Sequence, residues 1–339
     1  MKKKYKIGLV GYGFIGKSHI EAISNLSEYF EVKIIFDQKI TNEDKLNLPQ
    51  GIKVKKEFSK KNIPDDLDII SICAPTYLHA RFTSIALTKV KNVITEKPIA
   101  LNLKEAQKVI QIAKKNKKKI IVVKQMRMNP IYIKIKKAIT NNYLNKIYFV
   151  NWNIFLNRSK KYFSDSSWKG KRKLDGGTLF NQISHYIDLL HWFFGDIKIM
   201  EGFQLIESKG FNENSGQVSL FFKNKVFVSI NYSIKSYKKN LKPSCIILAK
   251  NGSLEVHNDK ILIKNSNQKL KKFFEKDISN IILEQKNYGK GIRTFYKNLY
   301  SFLKKNKNPM NKISFNQDVL NSYKNLYKIS SNMKYLNIN

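Results

Sequence analysis

Residues 5–37 read YKIGLVGYGFIGKSHIEAISNLSEYFEVKIIFD, and three features of that stretch decide the fold. Tyr5 to Val10 is a short apolar run of the kind a buried parallel strand needs. It stops at Gly11, and Gly11, Gly13 and Gly16 then fall in G-x-G-x-x-G spacing just before a helical pattern near Ser18 to Leu26. Each glycine has a task. Gly11 permits the tight turn, Gly13 lets backbone approach a pyrophosphate, and Gly16 lets helix and strand pack closely. A second apolar run, Val32 to Phe36, ends in Asp37, and an acid there hydrogen-bonds the ribose of a dinucleotide. The glycine spacing alone could mark only a turn; strand, helix and acid together make it a dinucleotide site. A carboxylate at 37 repels a 2′-phosphate, so the expected cofactor is NAD rather than NADP, with Lys39 partly offsetting that repulsion. Tyr12, Phe14 and Ile15 complete the cofactor turn.

Outward from this stretch the same alternation continues. Ile69 to Ala74, Asn92 to Glu96 and Lys119 to Lys124 read as further buried strands, and Leu78 to Thr88 and Leu103 to Lys115 as helices. Alternating strand and helix imply a doubly wound parallel sheet, a Rossmann domain over residues 1–125. After Pro130 the rhythm changes. A helix near Tyr132 to Asn141 precedes a strand near Lys146 to Leu156, a polar loop from Asn157 to Asp175, and an apolar helix from Thr178 to Phe194. Hairpin-like spacing between Gln217 and Ile263, with turns at Lys223-Asn224-Lys225 and Lys250-Asn251-Gly252, implies a largely antiparallel open sheet. Helices near Tyr288 to Lys304 and Phe315 to Ser331 end the chain. Residues 126–339 thus read as an α+β domain for substrate and oligomerisation, its last helix packing back on the first domain; the fold class is α/β.

A chain of 339 residues, 42% hydrophobic, can bury the cores of two domains. Its net charge of +38 would suit a nucleic-acid binder. However, only five basic residues are arginines, and lysine, asparagine and isoleucine abound throughout, a skew that matches A- and T-rich codons better than phosphate recognition. A lysine-rich solvated surface is the expectation, with no specific nucleic-acid partner. Cys73 and Cys245 have no C-x-x-C partner, so neither a disulfide framework nor a zinc cluster is expected. The five histidines lack H-x-x-x-H or H-E-x-x-H spacing, and no metal is expected. The N-terminal MKKKYKIGLVGYGFIG is not expected to act as a signal peptide, because it lacks a small-x-small cleavage site, and no apolar stretch reads as long enough to span a bilayer. A cytoplasmic protein is expected.

Two regions carry candidate chemistry. Glu96-Lys97-Pro98 follows a strand at the carboxyl edge, where open α/β sheets bind ligands. An ammonium there can hydrogen-bond a hydroxyl and stabilise the alkoxide that forms as hydride leaves carbon, although a lysine in so lysine-rich a chain can equally be a surface group. In the apolar helix, Asn181, His185 and Asp188 fall at spacings of four and three, one polar stripe that either satisfies backbone or faces a ligand. His185 alone reads equally as structural or catalytic. The loop Asn157 to Asp175 mixes cations with Tyr162 and Trp168, which could clamp a diphosphate and stack a base, or simply be solvated. Arg127 could contact substrate or nicotinamide, or form an interdomain salt bridge. His19 and Thr76 shape the crevice rather than react.

These pieces in order resemble the Gfo/Idh/MocA oxidoreductases: Gly11 to Gly16 with His19; Cys73-Ala74-Pro75-Thr76 with His79; Glu96-Lys97-Pro98; Lys124 to Pro130; Asp175 to Thr178; and Asn181-Gln-Ile-Ser-His185 with Asp188. The resemblance covers most of the chain and is weaker after residue 200. It implies that Lys97 is the catalytic lysine, that a cis bond precedes Pro98, and that His185 is general base or proton relay. It places Gly11 to Gly16, Asp37, Ala74, Pro75, Thr76, His79, Glu96 and Lys97 at the cofactor; Asn181 and Asp188, together with Arg127 and with Tyr162 and Trp168 of the polar loop, are the expected substrate residues. Polyol dehydrogenases of the family carry aspartate four residues before the histidine. Asn181 instead resembles members acting on nucleotide-linked sugars, often at C3, and an amide cannot accept a proton, so Asn181 is expected to orient rather than relay.

The expectation is therefore NAD-dependent hydride transfer at a carbinol carbon of a sugar, a nucleotide sugar by preference. A polyol, inositol or free-sugar dehydrogenase is the alternative within the family. A non-catalytic dinucleotide sensor is a further alternative, against which Lys97, His185 and Asp188 together argue. An exposed sheet face would invite a homodimer or tetramer, as in relatives.

Overall fold

The structure, a computed structural model, describes residues 4–206, 213–257, 260–276 and 291–337. The chain forms two compact units, Met1–Gln125 with Lys290–Tyr323, and Met126–Gly289 with Lys324–Asn339. The first unit thus takes in residues 290–323 from late in the chain, so neither unit is one continuous run.

The first unit is built on a seven-stranded sheet. Its parallel strands are β1 (Tyr5–Val10), β2 (Phe30–Phe36), β3 (Lys53–Lys55), β4 (Ile69–Ile72), β5 (Asn92–Thr95) and β6 (Lys119–Val122). The order 3-2-1-4-5-6 reverses direction between β1 and β4, which is the switch point where a doubly wound sheet opens at its carboxyl ends. Helices cover both faces, so β4 is buried along its whole length and β5 and β6 nearly so. The helix Leu103–Lys115 shows how these are specified. Asn102 caps it by accepting from the Glu105 amide, and Ala106, Val109, Ile110 and Ala113 form its buried stripe.

Sequence patterning did not reveal the sheet's two edges. β3 is three residues long with exposed lysines at both ends, and a further strand, Ser314–Phe315, joins β6 in antiparallel orientation from far along the chain. Asn316 fastens that return. Its Oδ1 accepts from the Ile120 amide at 2.9 Å, and its Nδ2 donates to the Lys118 carbonyl at 3.3 Å, at a backbone φ of +45°.

The second unit holds an eight-stranded sheet: β7 (Ile147–Phe155), β8 (Ile197–Ile206), β9 (Ser215–Phe222), β10 (Phe227–Ser233), β11 (Ser244–Ala249), β12 (Gly252–His257), β13 (Lys260–Lys264) and, after the return strand, Lys334–Asn337. It is largely antiparallel, with parallel pairing of β10 to β7 and of Lys334–Asn337 to β8. Burial alternates along β7 and β10, so one face lies on the core and the other is open. Both expected hairpin turns form. The first three residues of the helix expected over Tyr288 to Lys304 lie outside the described residues; the helix itself runs Ile292–Lys305. The last helix, Gln317–Asn332, begins in the first unit and ends in the second.

Two local expectations are corrected. The polar loop after β7 contains short helices at Lys160–Ser164 and Arg172–Asp175. The apolar helix is not uniform: Leu179–Ile183 is a π-turn, and regular α-helix runs only over Ser184–Phe194. A π-turn closes i→i+5 bonds, so its wider spacing offsets Asn181 from the residues that follow.

Replacing Asn316 by alanine should remove both hydrogen bonds and put at positive φ a residue that tolerates that region less well than asparagine, at a cost of about 1–3 kcal/mol. Urea denaturation checks this. An unchanged midpoint would show that the return strand is held by other contacts.

Candidate active site

The cofactor turn fits the three tasks read from its glycines. Gly11 has φ +95°, and a β-carbon on it would lie 2.6 Å from the Cys73 carbonyl oxygen. One on Gly16 would lie 2.1 Å from the Gly11 carbonyl oxygen. Gly13 is the opposite case: a β-carbon there would meet nothing within 4 Å, so the backbone opens onto space a phosphate can fill. The helix Phe14–Ser24 begins on Gly13, which has no side chain to cap it, and its first-turn N–H groups are the kind that hold phosphate. Tyr12 and Ile15 pack on the cluster of Leu9, Ile20, Ile35 and Cys73, while Phe14 is largely exposed. Asp37 accepts from the Tyr12 amide at 2.7 Å and the Lys39 amide at 2.6 Å, which fixes its carboxylate beside the glycine turn. Each oxygen keeps further acceptor capacity for ribose hydroxyls. These residues fit NAD.

The loops after β4 and β5 form the rest of this edge. Thr76 is buried, and Ala74 and Pro75 lead into it. His79, expected at the cofactor, braces the loops of this edge: both ring nitrogens lie 2.7 Å from backbone carbonyls, one of Ala74 and one of Pro98. Burial draws its imidazole below the ordinary value in spite of those two acceptors. Glu96 likewise turns inward, with Oε1 3.2 Å from His19 Nε2 and Oε2 accepting the Lys97 amide. The Lys97–Pro98 bond is cis, and Lys97 is half-buried.

In the second unit the expected polar stripe divides. Asn181 donates from Nδ2 to the Asp175 carboxylate, which also accepts the Gly170 amide at 2.8 Å. Asp188 is buried in a bidentate pair with fully buried Arg127, Nε to Oδ2 at 2.8 Å and Nη2 to Oδ1 at 2.7 Å. These two, expected at the substrate, thus bond each other within one unit. His185 is half-buried between them in sequence. Gln182, given no role in the sequence reading, fastens the preceding loop: it accepts from Arg158 Nη2 at 2.6 Å and donates to the Tyr162 hydroxyl at 2.9 Å. Arg158 and Lys169 lie over the Tyr162 ring, and Trp168 is half-buried. Glu213 was also missed. Buried, it accepts the Leu179 amide at 2.7 Å at the start of the π-turn and pairs with Arg172 at 3.1 Å, and burial raises its carboxyl above the ordinary value. Among the described residues no group of three His, Cys, Asp or Glu side chains could hold a metal, and no helix is long and apolar enough to cross a membrane.

Comparison with known families places this geometry. Residues 5–124 match the oxidoreductase family with NAD-binding Rossmann fold, and residues 136–317 match its C-terminal alpha/beta domain. The chain belongs to the Gfo/Idh/MocA oxidoreductase family. Among solved structures, the WlbA dehydrogenase from Bordetella pertussis, in complex with NADH and UDP-GlcNAcA, is similar at a TM-score of 0.85 and 25% identity, over 98% of this chain and 96% of that one. Oxidoreductase P35 of Formosa agariphila is 27% identical over 194 residues, 56% of this chain and 59% of its own length. An inositol 2-dehydrogenase of Salmonella typhimurium is 25% identical over 190 residues, 55% of this chain and 54% of its own. The matched region thus spans little more than half the length of these curated relatives.

Within this Gfo/Idh/MocA chain the glycines separate binding from folding. Gly13→Ala should leave stability within about 0.5 kcal/mol yet weaken NAD binding roughly tenfold or more, read by calorimetric titration. Gly16→Ala should instead lower the melting temperature, since the Gly11 carbonyl must move. Equal NAD affinity in Gly13→Ala and the parent would remove the pyrophosphate from this turn.

Proposed function

We propose that this chain is an NAD-dependent dehydrogenase that moves hydride between nicotinamide and a carbinol carbon of a sugar, by preference a nucleotide sugar. The open backbone at Gly13 beside the tethered Asp37 carboxylate carries the cofactor half of this reading. When bound, NAD supplies the hydride acceptor, and Asp37 favours its unphosphorylated ribose over that of NADP.

In the direction of oxidation the substrate hydroxyl must lose a proton as its carbon loses hydride. Lys97 is the residue proposed to take that proton and to return it in reduction, and His185 the one proposed to exchange it with solvent. Asn181 has no basic atom and orients. Arg127 and Asp188, bonded to each other, support the helix that carries His185 rather than touch substrate. The likeness to a dehydrogenase with UDP-GlcNAcA bound supports a nucleotide sugar, and the loop bearing Arg158, Tyr162, Trp168 and Lys169 offers cations and aromatic faces for a diphosphate and a base. The inositol 2-dehydrogenase relative supports a second reading, a polyol substrate. For a partner, we propose a second copy of the chain. The open face of the second sheet carries Phe227, Ile246 and Leu248 exposed, with Phe149 stacked on Phe227 at 5.6 Å.

NADH absorbance should appear with a nucleotide sugar from a panel that also holds inositols and free sugars. Turnover with an inositol alone would decide for the second reading. Lys97→Ala should lower turnover by roughly 10²–10⁴ while NAD affinity holds. Normal turnover in that variant would remove Lys97 from the chemistry.

A further inference from the structure

The first unit contains a group of ionisable side chains that hydride transfer, as described, leaves unused. His19 is fully buried in the helix after the glycine turn. Its Nε2 lies 3.2 Å from Glu96 Oε1, and its Nδ1 lies 2.9 Å from the Tyr296 hydroxyl and 3.3 Å from Ser71 Oγ. Tyr296 reaches in from the returning helix Ile292–Lys305 and Ser71 from β4. Glu96 is 6% exposed and accepts the Lys97 amide on its other oxygen at 3.2 Å. The carboxylate is therefore bonded on one side to the backbone of Lys97 and on the other to an imidazole sealed from water.

A buried carboxylate persists as an anion only beside a matching cation. Burial pushes Glu96 up, yet its bond to His19 and the charges of His19, Lys97 and His79 hold it below the ordinary range. Burial pulls His19 down, yet the acidic groups around it, Cys73, Tyr296 and Glu96, carry it well above the usual histidine value. His79 acts on the same carboxylate through its charge and is drawn down by its own burial. The shifts of His19 and Glu96 both run in the direction of an imidazolium beside a carboxylate, and the 3.2 Å Nε2–Oε1 contact is the geometry such a pair takes.

We propose that His19 and Glu96 form a buried, charge-neutral pair that positions Lys97 and spares its amine an uncompensated anion, so that Lys97 can release its proton when it acts on substrate. This rests on the reading of Lys97 as catalytic. A bare Glu96 carboxylate would hold Lys97 as the ammonium and impair it as a base. With His19 protonated, that attraction is cancelled. His19 and Glu96 are positioning residues, acting through Lys97.

The test reads the Lys97 amine directly and needs no substrate. Competitive acetylation with acetic anhydride across a pH series, followed by peptide mass spectrometry, gives the Lys97 titration midpoint against the other lysines. His19→Gln should raise that midpoint by about one unit, slowing acetylation roughly tenfold at pH values below it. Glu96→Gln should leave the midpoint near the parent's, because His19 loses its proton along with the carboxylate, and the double variant should match it. An unmoved midpoint in His19→Gln overturns the proposal. So does a fall of about one unit in Glu96→Gln, which would mean that Lys97 pairs directly with a bare carboxylate; that variant carries the test alone should His19→Gln fail to fold. Midpoints behaving as expected beside normal turnover in Lys97→Ala would instead sink the catalytic reading and leave the charge pair standing.

Discussion

Where β1 ends, two stretches of backbone come so close that no side chain fits between them. The carbonyl of Cys73 occupies the space a β-carbon on Gly11 would need, and the carbonyl of Gly11 occupies that of Gly16. Steric exclusion of this kind is stiff, since neither partner is the far end of a flexible side chain. It fixes where the helix after β1 starts, and therefore where its first amides point. The neighbouring strand ends are then tied to the same turn one at a time. Asp37 after β2 holds the Tyr12 amide, and His79 links the Ala74 carbonyl after β4 to the Pro98 carbonyl after β5. Four strand ends are thus set by named bonds, and the Lys97 turn is the last link of that series.

This edge was legible in the sequence because its requirements are local. A glycine spacing, a short apolar run and an acid at the end of the next run can each be read within a few residues, and the strands Tyr5–Val10 and Ile69–Ile72 lie where their β-branched or apolar runs begin. The roles of individual residues were less legible. His79 and Glu96 sit in the right motifs but face backbone and His19, because the direction of a side chain depends on what folds against it. Tyr296 gave no signal, since its partner His19 is 277 residues away. The edge strands β3 and Ser314–Phe315 escaped for a related reason: strands this short carry no periodicity, and only the sheet they join defines them.

In the second unit the misreading was geometric. Spacings of four and three describe one face of an α-helix only while the helix keeps its period, and the π-turn at Leu179–Ile183 breaks it. Its cause lies outside the segment. Glu213 takes the Leu179 amide, and a β-carbon on Gly177 would lie 2.6 Å from the same carboxylate. Gly177, at φ +102°, is therefore the residue that lets a buried acid reach the start of the turn. Asn181 and Asp188 are then separated to different partners, Asp175 and Arg127.

Arginine is scarce in this chain, five residues against a net charge of +38, and its placement shows where lysine would not serve. Three of the five frame this one region. Arg127 grips both oxygens of Asp188, Arg158 places two nitrogens on the Gln182 carbonyl, and Arg172 reaches Glu213 and the Tyr335 hydroxyl. Each uses several donors of one planar group at fixed angles, which an ammonium on a flexible stem cannot reproduce. The lysine pairs, such as Lys6 with Asp66 and Lys33 with Glu31, lie at the surface, where an ion pair adds little. Net charge therefore describes the solvated exterior. The region around Asp175 to Asp188 depends instead on a few rigid forks, and their geometry holds the helix that presents His185.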